Sequence, residues 1–175
     1  MRRSRLRAWW CSRRRNSGAA KGFTLIELLV ALSILAILAG VALPYAEVMV
    51  RREKELELRR SLREMRGAID RFHDDWQQGL IAHSDQSGSE DGWPRKLEVL
   101  VQGVARSTAK QGKESYLRRV PDDPFAGHEI TPEQQWGLRS YQDEPKAGTW
   151  GGQDVYDVFC KEKGKALDGS DYADW

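Results

Sequence analysis

Residues 28–46 carry no charge at all, a 19-residue run that begins directly after a lone glutamate, Glu27. A helix needs about 20 apolar residues to cross the hydrocarbon core of a bilayer, so this run is long enough for one span. An ionisable group just inside such a span costs roughly 2.5–3.5 kcal/mol at mid-membrane on insertion scales, and it marks a functional site by default. What Glu27 pairs with is the first question the sequence poses.

The chain of 175 residues has room for one domain plus an anchor. Its net charge of +2 conceals an asymmetry. Residues 1–22 hold Arg2, Arg3, Arg5, Arg7, Arg13, Arg14, Arg15 and Lys21 and no acid. Removing those eight from the 28 basic residues leaves 20 against 26 acids, a net −6. The basic character belongs to the leader, which argues against nucleic acid as a partner. Cys11 lies in the leader, so Cys160 is left without an intrachain partner and no disulfide framework exists. Cys160 then reads as a small buried thiol, with an intermolecular bridge as the alternative.

A positive segment before an apolar run fits a signal peptide, a plain signal anchor, or a more specialised signal. A signal peptide would have an apolar stretch of about 7–15 residues and a small-x-small cleavage site. Here the run is longer and ends in the weak site Ala42-Leu43-Pro44-Tyr45-Ala46. Ser12-Arg13-Arg14 opens like a twin-arginine signal, but Asn16-Ser17-Gly18 breaks it. A plain anchor explains the length and keeps the basic leader cytoplasmic. It leaves Glu27 unexplained.

The stretch Gly22-Phe23-Thr24-Leu25-Ile26-Glu27, after a basic leader and before the apolar run, resembles the cleavage and methylation motif of type IV pilins and type II secretion pseudopilins. The resemblance implies cleavage after Gly22 by the prepilin peptidase, methylation of the new amine on Phe23, and a mature chain of 153 of the 175 residues. It also implies that Glu27 pairs with the N-terminal amine of a neighbouring subunit during assembly. The physics agrees, because a carboxylate in lipid is tolerable when paired, and the cut creates the partner charge. Ala31, Ala36, Ala39, Gly40 and Ala42 would allow close helix approach, although ordinary transmembrane composition also supplies such residues. Pro44 removes an i→i−4 bond, so a kink or local melting is expected there.

Beyond the span, Leu58, Leu62, Met65, Ile69, Phe72 and Trp76 recur at helical spacing as one apolar stripe. The stripe is expected to pack on the chain's own sheet rather than on a coiled-coil partner. Arg51-Arg52-Glu53-Lys54-Glu55 shows no such stripe and reads as an exposed stalk or a helix–helix contact surface. Residues 79–92 read as a loop, and Pro94 as the opening of a short helix carrying Leu97, Leu100 and Val101. Residues 103–115 read as a second polar loop. Trp136-Gly137-Leu138-Arg139-Ser140-Tyr141 and Asp154-Val155-Tyr156-Asp157-Val158-Phe159-Cys160 read as strands around a turn region at 148–152. The Gly92-Trp93-Pro94 segment and the Asp123-Pro124-Phe125 turn are similar to those of major pseudopilins. The predicted fold is α+β and pilin-like, a long N-terminal helix on a small antiparallel C-terminal sheet. Its parts are a leader at 1–22, a transmembrane and assembly helix at 23–46, an amphipathic continuation at 47–79 and a periplasmic globular part at 80–175.

Nothing in the pattern points to catalysis. His73, His83 and His128 are scattered and share no metal-ligand spacing with Cys160. His73-Asp74-Asp75 reads as a solvated polar face. No nucleophile elbow or phosphate-binding loop occurs. Trp76, Trp93, Trp136, Trp150 and Trp175 read as packing residues rather than a nucleic-acid platform. Asp154, Asp157, Asp168, Asp171 and Asp174 could place oxygens around a hard cation, and the resemblance to major pseudopilins implies a calcium site in this region. Here the corresponding loop is Cys160-Lys161-Glu162-Lys163-Gly164-Lys165, with a cysteine for a serine ligand and three lysines. No ligand set is assigned and no cofactor is required.

The resemblance thus implies a non-enzymatic subunit of the major, G-type pseudopilin class, single-pass in a bacterial inner membrane with a periplasmic C-terminal part. Its expected partners are further copies of itself, minor pseudopilins, the prepilin peptidase and the inner-membrane secretion platform. A type IV pilin or competence pseudopilin would share every N-terminal feature. A signal-anchored periplasmic enzyme or binding domain is the alternative of another class.

Overall fold

The computed structural model describes residues 22–81, 87–107, 112–127 and 129–175. The leader before Gly22, Cys11, His83, His128 and parts of the two loops therefore lie outside the described residues. A 53-residue helix, α1 (Leu25–Gln77), is followed by α2 (Leu97–Gln102), β1 (Val104–Ala105), β2 (Lys113–Glu114), α3 (Pro132–Gln135), β3 (Trp136–Arg139) and β4 (Asp157–Cys160), then a 3-10 turn at Tyr172–Asp174. The chain divides between Leu43 and Pro44 into two compact units. The first is helical from Leu25 onward, and its described side chains are all exposed. Pro44 lies within the helical span.

The second unit is built on the apolar stripe. Leu58, Met65, Ile69 and Phe72 are fully buried and Leu62 nearly so, while Trp76 packs half-buried at the end of the row. The 4-3-4-3 spacing keeps these side chains on one face because a helix turns every 3.6 residues. Against them pack Leu97 and Leu100 from α2, Trp136 from β3, Val158 from β4, and Leu117, Val120, Val155, Ala166 and Tyr172 from the connections. Burial of each large side chain contributes about 1.5–3 kcal/mol, which lets strands this short persist.

The strands form two separate two-stranded antiparallel sheets, β1–β2 and β3–β4. In the second, Trp136 faces Cys160 and Arg139 faces Asp157, with Gly137 opposite Phe159. A Cβ on Gly137 would come within 2.3 Å of the Phe159 ring, so glycine here makes room for an aromatic that also lies 4.1 Å beneath the Arg139 guanidinium. An isolated two-stranded hairpin is marginal in water. Packing on α1 supplies what the short ladders lack.

Three expectations need correction. Residues 103–115 are not a plain loop, since Val104 pairs with Glu114 and Ala105 with Lys113. Pro94 does not open α2 but sits in a bridge with Gly88, and the helix starts at Leu97. The stretch 51–55 is not simply an exposed stalk, because Glu55 is buried. Gly92 has a physical reason to be glycine: its φ is +82° and a Cβ would meet the Trp76 indole at 2.6 Å.

Candidate functional site

Chemistry-bearing residues gather in two places. The first is the start of α1. Thr24-Leu25-Ile26-Glu27 has capping-box spacing, a threonine followed three residues on by glutamate. Half of that box is made, with Thr24 Oγ1 accepting the Glu27 N–H at 3.2 Å. A carboxylate in the first turn also meets the positive end of the helix dipole. Phe23 is 81% exposed, and Gly22 and Glu27 are exposed as well. From Phe23 through Val50 large apolar side chains stand open to their surroundings. α1 contains an 18-residue window of mean hydropathy 2.6, long and apolar enough to cross a membrane.

The comparison with protein families bears on this segment. Residues 18–43 match the family model described as the prokaryotic N-terminal methylation motif. This is the type IV pilin and pseudopilin signal. It is consistent with a pilin-like structural subunit. Comparison of the chain with curated proteins and with solved structures returned no match.

The second place joins α1 to the segment 164–175. Glu55 Oε1 accepts from the Tyr172 hydroxyl at 2.9 Å and from the Leu167 N–H at 2.9 Å. Arg51 Nε donates to the same tyrosine oxygen at 3.2 Å, Arg51 Nη2 reaches the Lys165 carbonyl, and the guanidinium stands 3.6 Å from Glu55. Burial pushes the Tyr172 hydroxyl up from its ordinary pKa, which keeps it a donor. One helical turn on, Arg59 pairs with Asp168 at 2.7 Å and lies 3.9 Å over the Trp175 ring. Two bonds from Ser170, with the Arg59 contact adding to them, hold the Asp168 carboxyl down to about 2. Arg66 binds Asp157 at 2.7 Å, the Val158 carbonyl at 2.9 Å and the Trp175 backbone oxygen at 2.6 Å.

These contacts bear on how the aspartates would meet a calcium ion. Ca²⁺ takes six to eight oxygen ligands at about 2.3–2.6 Å. Asp157 is shared between Arg66 and Arg139, Asp168 is held by Arg59 and Ser170, and Asp174 stands 3.4 Å from Lys146. Asp154 is buried and accepts the Tyr141 N–H at 3.0 Å. Among the described residues no group of three or more histidine, cysteine, aspartate and glutamate side chains converges to hold a metal ion. Four of the five candidate aspartates, Asp154, Asp157, Asp168 and Asp174, are thus engaged by other groups of the protein.

Cys160 and His73 have structural roles. The Cys160 thiol is buried and donates to Asp123 Oδ2 at 3.2 Å. Asp123 in turn accepts the Phe125 N–H at 2.8 Å and donates its own N–H to Gln135 Oε1 at 2.8 Å. Burial pushes the thiol up to about 12. Because the unfolded thiol ionises near pH 8.5, its contribution to stability is complete below that pH and declines as pH rises towards the folded value. Since the thiolate is the reactive species, iodoacetamide at pH 8 is expected to spare Cys160 in the folded protein and to modify it on denaturation. Peptide mass spectrometry reads this directly, and prompt native labelling would contradict the buried pair. His73 is not a solvated residue either. Its ring stacks on Trp93 at 3.7 Å, with Nδ1–H donating to the Gly92 carbonyl at 3.1 Å and Nε2 accepting from the Gln77 amide at 2.7 Å.

The sequence reading missed Arg51, Glu55, Arg59, Arg66 and Tyr172 as a connected set. A signal existed at Glu55. It stands three residues before Leu58, so it extends the buried stripe backwards by one step, and a charge at a core position requires a partner.

Proposed function

We propose that this protein is a pseudopilin, a subunit of the major, G-type class that polymerises into a type II secretion pseudopilus and helps drive folded proteins across the outer membrane. One observation carries the reading: the methylation motif at 18–43 runs into a helix whose first part exposes uncharged, almost wholly apolar side chains after Glu27 and whose later part seats an α+β core. An exposed apolar surface of that extent belongs in a bilayer or against other subunits. The similarity of the Gly92-Trp93-Pro94 and Asp123-Pro124-Phe125 segments to major pseudopilins favours secretion over a pilus.

In this reading the chain is anchored once in the inner membrane with 80–175 in the periplasm. The prepilin peptidase cuts after Gly22, the amine of Phe23 is methylated, and Glu27 pairs with that amine on an adjacent subunit. Minor pseudopilins and the inner-membrane platform are its other partners.

The test is the mature N-terminus. Expressed with a prepilin peptidase, the protein is expected to begin at N-methylated Phe23 by intact-mass and peptide analysis. Gly22→Ala is expected to accumulate as the heavier, unmethylated precursor. An uncut wild-type chain, or a cut near Ala46, would overturn the assignment. Loss of export of folded periplasmic proteins on deletion, with surface pili unchanged, separates secretion from a pilus.

A further inference from the structure

We propose that residues 164–175 form a latch closed on α1 by the protein's own arginines and Glu55, and that this closure replaces a divalent cation, so that the C-terminal region is fixed without calcium. The latch stands on its contacts and does not depend on the assembly role proposed above.

A bound cation would gather carbonyl and carboxylate oxygens from separate stretches of chain into one place. Guanidinium groups already do this here. The backbone oxygens of Lys165, Val158 and Trp175 accept from Arg51 and Arg66, and the Ala173 carbonyl accepts from Arg139 at 3.3 Å. The carboxylates of Asp157 and Asp168 face arginines at 2.7 Å. Arginine suits this task because its planar fork offers five donors and keeps its charge at any accessible pH. A dication entering the same region would have to displace those cations and sit beside Lys161, Lys163 and Lys165.

Glu55 is the anchor that distinguishes a built latch from incidental surface pairing. Exposed ion pairs contribute about 0–1 kcal/mol and are poor evidence of design. Glu55 is only 8% exposed and Tyr172 2%, and Glu55 Oε1 and the tyrosine hydroxyl each make more than one contact. The tyrosine hydroxyl donates to Glu55 while accepting from Arg51, and Glu55 also receives the Leu167 N–H. The Lys165–Asp171 bridge and the 3-10 turn at Tyr172–Asp174 shape the segment between these anchors.

The experiment is hydrogen exchange resolved to 164–175, together with thermal unfolding, on the full chain in detergent with calcium chloride or with EDTA. Wild type is expected to show the same midpoint and the same protection of 164–175 in both. Charge-assisted hydrogen bonds are strong enough that Glu55→Gln and Arg66→Met should each speed exchange in 164–175 roughly ten- to a hundredfold. Exchange in α2 should remain unchanged. If Arg66→Met fails to fold, Arg59→Met tests the same segment through a half-exposed pair and is expected to raise exchange at 168–175 alone. Calcium-dependent protection in wild type would overturn the proposal. So would unchanged exchange at 164–175 in the folded variants.

Discussion

Glu27→Gln is expected to leave leader removal intact and to abolish filament assembly, measured as loss of the sheared or crosslinked polymer beside an unchanged mature N-terminus. The position has two separable physical roles. As the third helical residue, its N–H bonds Thr24 Oγ1 at 3.2 Å and its side chain sits at the positive end of the helix. As a charge at the edge of an apolar span, it costs roughly 2.5–3.5 kcal/mol at mid-membrane until paired. Glutamine keeps the length, the helix propensity and the capping geometry but cannot form an ion pair with the amine. Thr24→Ala does the converse, removing a cap worth about 1 kcal/mol while keeping the carboxylate. Assembly of Thr24→Ala at near wild-type levels, with none by Glu27→Gln, identifies charge pairing. Equal defects would assign the position to helix capping, and normal assembly of Glu27→Gln would remove the pairing role.

The two candidate sites differ in how far they could be read from sequence. The N-terminal motif is local, a continuous stretch matched at 18–43. Glu27 stands out there as a lone charge before an apolar run, whereas Gly22 and Phe23 are singled out only by the resemblance to pilins and pseudopilins. The latch is non-local: Arg51 meets Tyr172 and Arg59 meets Asp168 across more than a hundred residues. No local pattern encodes that pairing. Glu55 shows the cost of treating charge as a sign of exposure. Its register with Leu58 and Leu62 was visible, but its buried partners come from the far end of the chain. The β1–β2 pairing escaped for a different reason. Two-residue strands are too short for alternation to appear, and they are positioned by Tyr116 and Leu117 bonding back to the Leu100 carbonyl.

Phe72→Ala is expected to be the most damaging single substitution in the amphipathic half of α1, with a loss of about 3–5 kcal/mol, the range for truncating a buried phenylalanine. Its ring is fully buried and lies edge-on to Tyr116 at 5.6 Å and stacked near Trp76 at 6.2 Å. Removing it opens a void where α1, the 116–117 segment and the Trp76 side chain meet. The damage should extend to the Tyr116 hydroxyl, which donates to Asp75 at 2.7 Å and whose pKa is raised by burial and by that carboxylate. Leu56→Ala is the matched control, an apolar truncation on the same helix at a side chain 63% exposed. It should change stability by no more than about 0.5 kcal/mol. Chemical denaturation of the two variants in the same detergent measures the contrast. Comparable losses would mean that the stripe from Leu58 to Trp76 is not the seat of the core. A large loss for Phe72→Ala alone locates the folding energy of 44–175 in that one helical face, and leaves the exposed face of α1 free for contacts with other molecules.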